Sequence, residues 1–242
     1  MVTDNSNSEA KILASFFKLK GRLLVYKKGR RLLTSDILGM VIYVRSGYLA
    51  AHLSAQPSHS RPRAYYTFGP GNLIQIRSLV SDEHLELTYT PLTNVTLYAI
   101  PSNDVWKNLH KNTALAAAMI RDSILHSELL TRRIENLSFR YASDKLTYRI
   151  LNLAERFGVA KDGEIYIRIP VTHRQLGTFI NMARESVSRE MEKLVSRGLI
   201  RYERQHITIT DVHKLVDAMH ESFRTDWGDL LVMADTSKKI SL

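Results

Sequence analysis

Residues 172–200, THRQLGTFINMARESVSREMEKLVSRGLI, constrain the fold more tightly than any other stretch of the chain. They read as two short helices joined by a tight turn. In the second helix Arg184, Glu185, Ser188 and Arg189 fall at angles of roughly 0°, 100°, 40° and 140°, given about 3.6 residues per turn. All four therefore point into one arc. Their chemistry suits base-pair edges in a DNA major groove: the arginine fork matches guanine O6 and N7, and glutamate accepts from the N4 amino group of cytosine. A lone charged residue on a helix is usually a solvated surface group, but four on one arc of such a helix predict a base-reading face.

Charge agrees with a polyanionic partner but does not locate it. The net charge is +10, which favours nucleic acid or an anionic surface. Residues 1–140 carry 18 Lys/Arg against 10 Asp/Glu, net +8, whereas residues 141–242 carry 16 against 14, net +2. The segment 168–204 is locally basic, 8 against 4, but the densest cluster is Lys18, Lys20, Arg22, Lys27, Lys28, Arg30 and Arg31. That cluster reads either as a solvated face or as a second contact with flanking DNA or another acidic partner. The chain has no cysteine, which excludes disulfides, thiolate catalysis and cysteine-ligated metal centres. No apolar run approaches the roughly 18 residues needed to span a bilayer, and the polar start MVTDNSNSEAK lacks the apolar centre of a signal peptide. A cytoplasmic protein without membrane contact is expected.

The apolar pattern changes along the chain. Residues 22–53 alternate short runs such as LLVY, ILGMVIYV and YLAAHL with the turn signals KKGR, TSD and RSG. Such spacing predicts antiparallel strands joined by tight turns. SAQPSHSRPR at 54–63 reads as a polar loop, and strand-like segments resume through Pro101, about eight in all. Without intervening helices these suggest a small barrel or jelly roll. From Asn103 to about Phe139 there is no Pro or Gly, and the spacing becomes helical. One stripe holds Leu115, Met119, Leu125 and Leu129, and another holds Ile120, Ile124 and Ile134. A helix apolar on two sides is buried on both, so one side covers the barrel and the other meets an identical helix in a twofold dimer. The alternative is a central helix of one larger domain.

Beyond FRYASDKL, Ser143 or Asp144 is expected to cap a new helix that runs to about Phe157 and stops at Gly158. KDG at 161–163 forms a turn and EIYIRIP a strand. Thr172 caps the first helix of the motif, and Gly198 ends the second. RYERQHITIT reads as a hairpin, or wing, and residues from Asp211 to about Met233 as a helix with a frayed end. The expected class is α+β, with a β-roll over 1–102, a dimerisation helix over 103–140 and a DNA-binding domain over 141–242.

This succession resembles the Crp/Fnr family of bacterial regulators, which joins an effector β-roll like a cyclic-nucleotide-binding jelly roll to a long dimer helix and a winged helix–turn–helix. In the N-terminal half the resemblance rests on YKKGRRL, VIYVRSGYL and FGPGNLI; in the C-terminal half it rests on TxxQLGxFxxxxRExVSRxxxxLxxxGLI. It implies that Arg184, Glu185 and Arg189 read bases, with Ser188 the serine of the Fnr branch. It also implies that Thr172 and His173 contact phosphate, so that changes at His173 weaken all sequences alike. The implied partners are double-stranded DNA, a second copy of the chain and, as a further candidate, RNA polymerase; the implied target is a palindrome with TGA-containing half-sites. The turn departs from the family, with Asn181-Met182-Ala183 in place of glycine and a small polar cap. Asn tolerates the left-handed conformation, but Ala183 cannot cap the recognition helix.

The sensor half names no effector. Family members that bind cyclic AMP hold its phosphate with an arginine followed by Ser or Thr, and its ribose with a glutamate after a glycine. Here HLELTYTPLTNV offers Glu86 and Thr88 with no arginine, and FGPGNLIQI has Asn72 and Gln75 where an acid belongs. Control by cyclic AMP is therefore not expected, nor is the iron–sulfur sensor of the Fnr branch. His52, His59, His84, His110 and His126 show no paired ligand spacing, so neither a metal nor haem is expected. Tyr65, Tyr66, Phe68, Tyr89 and Tyr98 read either as a small apolar pocket or as strand packing. No G-x-S-x-G elbow, phosphate loop or metal-ligand pair points to an enzyme. The rival to a regulator is an architectural DNA-binding protein without signal input.

Overall fold

A computed structural model describes residues 3–53, 64–81, 87–220 and 227–239. The expected loop at 54–63, with His59, lies outside these residues, as do His84, Glu86 and the last three positions. The chain folds as two compact units, residues 1–131 and 132–242.

The first unit opens with a helix absent from the sequence reading, α1 (Thr3–Lys20). Among the described residues eight strands follow: β1 (Arg22–Tyr26), β2 (Leu32–Leu33), β3 (Met40–Ser46), β4 (Leu49–Leu53), β5 (Ala64–Phe68), β6 (Leu73–Ile74), β7 (Leu87–Pro91) and β8 (Val95–Pro101). They form two four-stranded antiparallel sheets, ordered β1-β8-β3-β6 and β2-β7-β4-β5. The expected jelly roll is thus present. Side chains alternate across a strand, so the run VIYV in β3 fills two cores. Ile42 and Val44 face inward with Leu32, Leu49, Tyr66, Phe68, Tyr89 and Leu97. Val41 and Tyr43 face outward, where Leu13 and Phe17 of α1 cover them together with Val105, Leu115 and Met119.

The helix expected from Asn103 to Phe139 is two helices, α2 (Ser102–Leu109) and α3 (Thr113–Ser138). Asn112 makes the break: its Oδ1 accepts the Leu115 N–H at 2.9 Å, supplying a cap in mid-run without Gly or Pro. Along α3 the two expected stripes separate by exposure. Leu115 and Met119 are buried under the roll, and Leu129 is half-buried against its inner core. Ile120, Ile124 and Ile134 are exposed at 60%, 54% and 70%. Leu125, expected beside Leu115, is also exposed. Ten residues at about 100° leave it some 80° away from Leu115.

The second unit contains α4 (Ala142–Phe157), the strands β9 (Gly158–Lys161) and β10 (Glu164–Ile167), and the helices α5 (His173–Ile180) and α6 (Arg184–Ser196). The wing is β11 (Ile200–Glu203) with β12 (His206–Ile209), in a sheet ordered β11-β12-β10-β9. Neither Ser143 nor Asp144 caps α4; the N-cap is Tyr141, with no side-chain bond. The helix begins earlier than expected, so Asp144 falls inside its first turn. There it is buried, and its Oδ1 accepts the His220 N–H at 3.3 Å. The tail expected as one helix from Asp211 is α7 (Val212–Asp217) and α8 (Gly228–Lys239). Among the described residues no helix is long and apolar enough to cross a membrane.

Candidate nucleic-acid interface

The helix–turn–helix is braced at three points. Thr172 and Gln175 form a reciprocal capping box at the start of α5: the Gln175 N–H donates to Thr172 Oγ1 at 3.2 Å, and the Thr172 N–H donates to Gln175 Oε1 at 2.8 Å. This arrangement satisfies two otherwise free backbone donors. Asn181 makes the turn in the left-handed region, φ 55° and ψ 46°. Val187, Met191 and Leu194, spaced i, i+4, i+7, bury one face of α6. That burial fixes which face remains outside.

Arg184, Glu185 and Arg189 are exposed on the remaining face, and the Arg189 guanidinium leans on Ser186 Oγ at 3.4 Å. Ser188 shares the arc but is half-buried, with its Oγ 2.7 Å from His173 Nδ1. Two residues assigned to different roles on sequence therefore meet, although 15 positions separate them. The His173 ring also stacks on Tyr202 of the wing, with centroids 4.8 Å apart and planes at 28°. Tyr202 donates its hydroxyl to Val171 O at 2.9 Å, and the Val171 N–H donates to Gln205 O at 2.7 Å. Burial, then the Arg184 charge, hold the His173 pKa below the usual histidine value, and Glu192 opposes them. His173 Nε2 is buried and has no hydrogen-bond partner. Of the two residues expected at phosphate, His173 thus has Nδ1 beside Ser188 Oγ and the Thr172 hydroxyl donates to Gln175 Oε1. The exposed side chain in the first turn of α5 is Arg174, which sequence reasoning passed over, along with Tyr202.

Ala183 occupies the N-cap of α6 with φ −66° and ψ 146° and makes no side-chain bond. A serine adopts the same backbone and adds the missing acceptor. Ala183→Ser is expected to stabilise the unit by about 0.5–1 kcal/mol, read as a rise in urea midpoint at unchanged slope. An unchanged midpoint would show that solvent already serves those N–H groups.

In the first unit all seven residues of the basic cluster are exposed. Asn72 acts as a turn former, its Oδ1 accepting the Gly69 N–H at 2.9 Å. Gln75 sits at φ 62° ahead of a short 3-10 turn. Tyr66, Phe68 and Tyr89 are core residues of the roll; Tyr98 belongs to the outer core, and the Tyr65 side chain lies outside the described residues. His126 of α3 stacks on Tyr66 with centroids 4.0 Å apart. Burial, then Arg31, push the His52 pKa down, and His110 Nδ1 lies 3.0 Å from Trp106 O. Among the described residues no three His, Asp or Glu side chains are grouped to hold a metal ion.

Residues 144–218 match the Crp-like helix-turn-helix domain. Over 204 residues the chain is 25% identical to the cyclic AMP receptor protein of Thermus thermophilus, covering 80% of this chain and 84% of that protein. It is 23% identical over 192 residues to electron transport regulator A of Shewanella oneidensis, covering 78% and 75% respectively. The structure of FixK2 from Bradyrhizobium japonicum shares the fold with a TM-score of 0.69 at 15% identity, over 83% of this chain and 98% of that one. The matched relatives are regulators rather than enzymes. Residues 144–218 thus carry a Crp-like helix-turn-helix domain, and the chain is similar over most of its length to regulators of the Crp/Fnr type.

Proposed function

We propose that the protein is a homodimeric, sequence-specific DNA-binding regulator that reads a palindrome with TGA-containing half-sites and acts in the cytoplasm without cyclic AMP. The observation that carries this reading is the α6 arc. Its apolar face is spent on the core, leaving Arg184, Glu185 and Arg189 with no side-chain ion pair among the described residues that would divert them from a groove. Arg189 suits a guanine and Glu185 the cytosine of a paired strand. Phosphate contacts fall to Arg174 and to the first-turn N–H groups of α5, which favour an anion. The exposed side chains Ile120 and Ile124 of α3, with Leu125 at the rim, suit pairing with a second copy. Two recognition helices would then enter successive major grooves about 34 Å apart. RNA polymerase is the natural further partner of such a regulator. Independence of cyclic AMP rests on Asn72 and Gln75, which offer no carboxylate to a ribose, and on the lack of arginine in residues 87–94.

The test is selection of duplexes from a random pool by the purified protein, read by sequencing, with and without cyclic AMP. A palindrome is expected, unchanged by the nucleotide. Arg189→Ala should relax preference at one guanine per half-site by about 1–3 kcal/mol, leaving other positions intact. A specificity ratio near one at moderate salt would instead establish an architectural DNA-binding protein.

A further inference from the structure

We infer that His173 is a positioning residue that fixes the sense of the Ser188 hydroxyl, freeing its hydrogen to donate to base edges. The inference rests on the reading above, in which the α6 arc faces the major groove.

A serine hydroxyl both donates and accepts, so on its own it distinguishes bases poorly. Ser188 is not on its own: its Oγ lies 2.7 Å from His173 Nδ1. What it offers the groove depends on which of the two holds the proton between them. The ring's other nitrogen, Nε2, is buried without a partner. An orphaned buried N–H is rarer than an orphaned acceptor, so a neutral ring keeps its single proton on Nδ1, where a partner waits. Burial and the nearby Arg184 charge favour that neutral ring. Nδ1–H then donates to Ser188 Oγ, and the hydroxyl hydrogen is free to turn outward. So directed, Ser188 donates to guanine O6 or N7, adenine N7 or thymine O4, whereas the opposite tautomer would spend its hydrogen on His173 and leave it an acceptor only.

The wing supplies the rigidity. The His173 ring rests on Tyr202, whose hydroxyl is tied to Val171 O, and the Val171 N–H is tied to Gln205 O at the wing turn. Through this chain of contacts the wing orients a base reader without touching the base itself.

Three variants separate this role from a phosphate contact and from mere packing. His173→Phe keeps a ring on Tyr202 but has no Nδ1–H. His173→Asn sets an amide N–H near the place of Nδ1–H. Ser188→Ala removes the reader and leaves ring and wing alone. In selected pools the wild type should prefer an acceptor-bearing base at one position per half-site. Ser188→Ala and His173→Phe should each lose that preference by about three- to tenfold, the range of one hydrogen bond. Positions read by Arg184, Glu185 and Arg189 should hold, His173→Asn should restore the preference, and the double variant should lose no more than either single one. Nitrogen-15 NMR of histidine-labelled protein should find the proton of His173 on Nδ1. Uniform weakening of all sequences by His173→Phe, an unchanged preference in Ser188→Ala, or a proton on Nε2 would each overturn the inference. A wild type that selects no sequence overturns the DNA-reading assignment, and this inference with it.

Discussion

Gly177→Ala is expected to destabilise the helix–turn–helix by about 1–3 kcal/mol, the usual range for overpacking, and to abolish specific DNA binding. A Cβ built at Gly177 lies 2.5 Å from Met182 O and 3.5 Å from Val187 Cγ2. The nearer atom belongs to the backbone, so no rotamer change relieves the contact. Nor can the two segments part freely, because the Met182 N–H donates to Gly177 O at 2.9 Å, one residue after Asn181 has turned the chain in the left-handed region. The added methyl therefore pushes α6 away from α5, and with it the arc of Arg184, Glu185 and Arg189. Gly198→Ala serves as the contrast. It is strained by its φ of +66° but meets nothing within 4 Å, so it should cost about 1 kcal/mol and leave base preference unchanged. Thermal melts with binding isotherms on the selected palindrome read both. A Gly177→Ala protein that melts and binds like the wild type would show that the turn can slide.

This glycine also illustrates why the motif could be read from sequence. Its requirement is local: Gly177 sits five residues after the Thr172 cap and four before the Asn181 turn, all within one contiguous stretch. The β-roll was legible for the same reason, since Gly-marked turns punctuate strands of period two. Features that depend on distant partners were not. α1 is held to the outer sheet by Leu13 and Phe17, one turn apart, too thin a stripe to stand out from a polar segment. The break between α2 and α3 needs only Asn112, and its cap is visible only once the chain has turned. Ser188 and His173 lie on different helices, so their hydrogen bond carries no periodic signal. Each could be assigned a role from the resemblance, but their pairing could not. The stripe that wrongly included Leu125 shows the limit of periodicity itself: a drift of 80° over about ten residues moves a side chain from core to surface.

Asp122→Asn is expected to stabilise the first unit at neutral pH and to do nothing at pH 4. Asp122 lies about −20° from Leu115 on the helical wheel of α3 and is half-buried. Burial pushes its carboxyl up to about 6, against the Leu73 N–H, whose hydrogen bond pulls it down. The Tyr43 hydroxyl is raised by burial and then by the Asp122 charge, consistent with the two acids sharing one poorly hydrated region. In the unfolded chain an aspartate titrates near 3.9. Between about pH 4 and 6 the folded protein therefore binds more protons than the unfolded one, and stability falls as pH rises through that window. Two pKa units correspond to a penalty of roughly 3 kcal/mol, complete above pH 6 and absent below pH 4. Asparagine keeps an oxygen for the Leu73 N–H and carries no charge. Its amide hydrogens need partners of their own, so the recovered part should be about 1–3 kcal/mol at pH 7.5. Denaturant titrations of wild type and Asp122→Asn from pH 4 to 8 should converge at the acid end and diverge between about pH 4 and 6, with a midpoint near 5. A constant offset across that range would mean that shape, rather than the charge of a half-buried carboxylate, separates the two proteins.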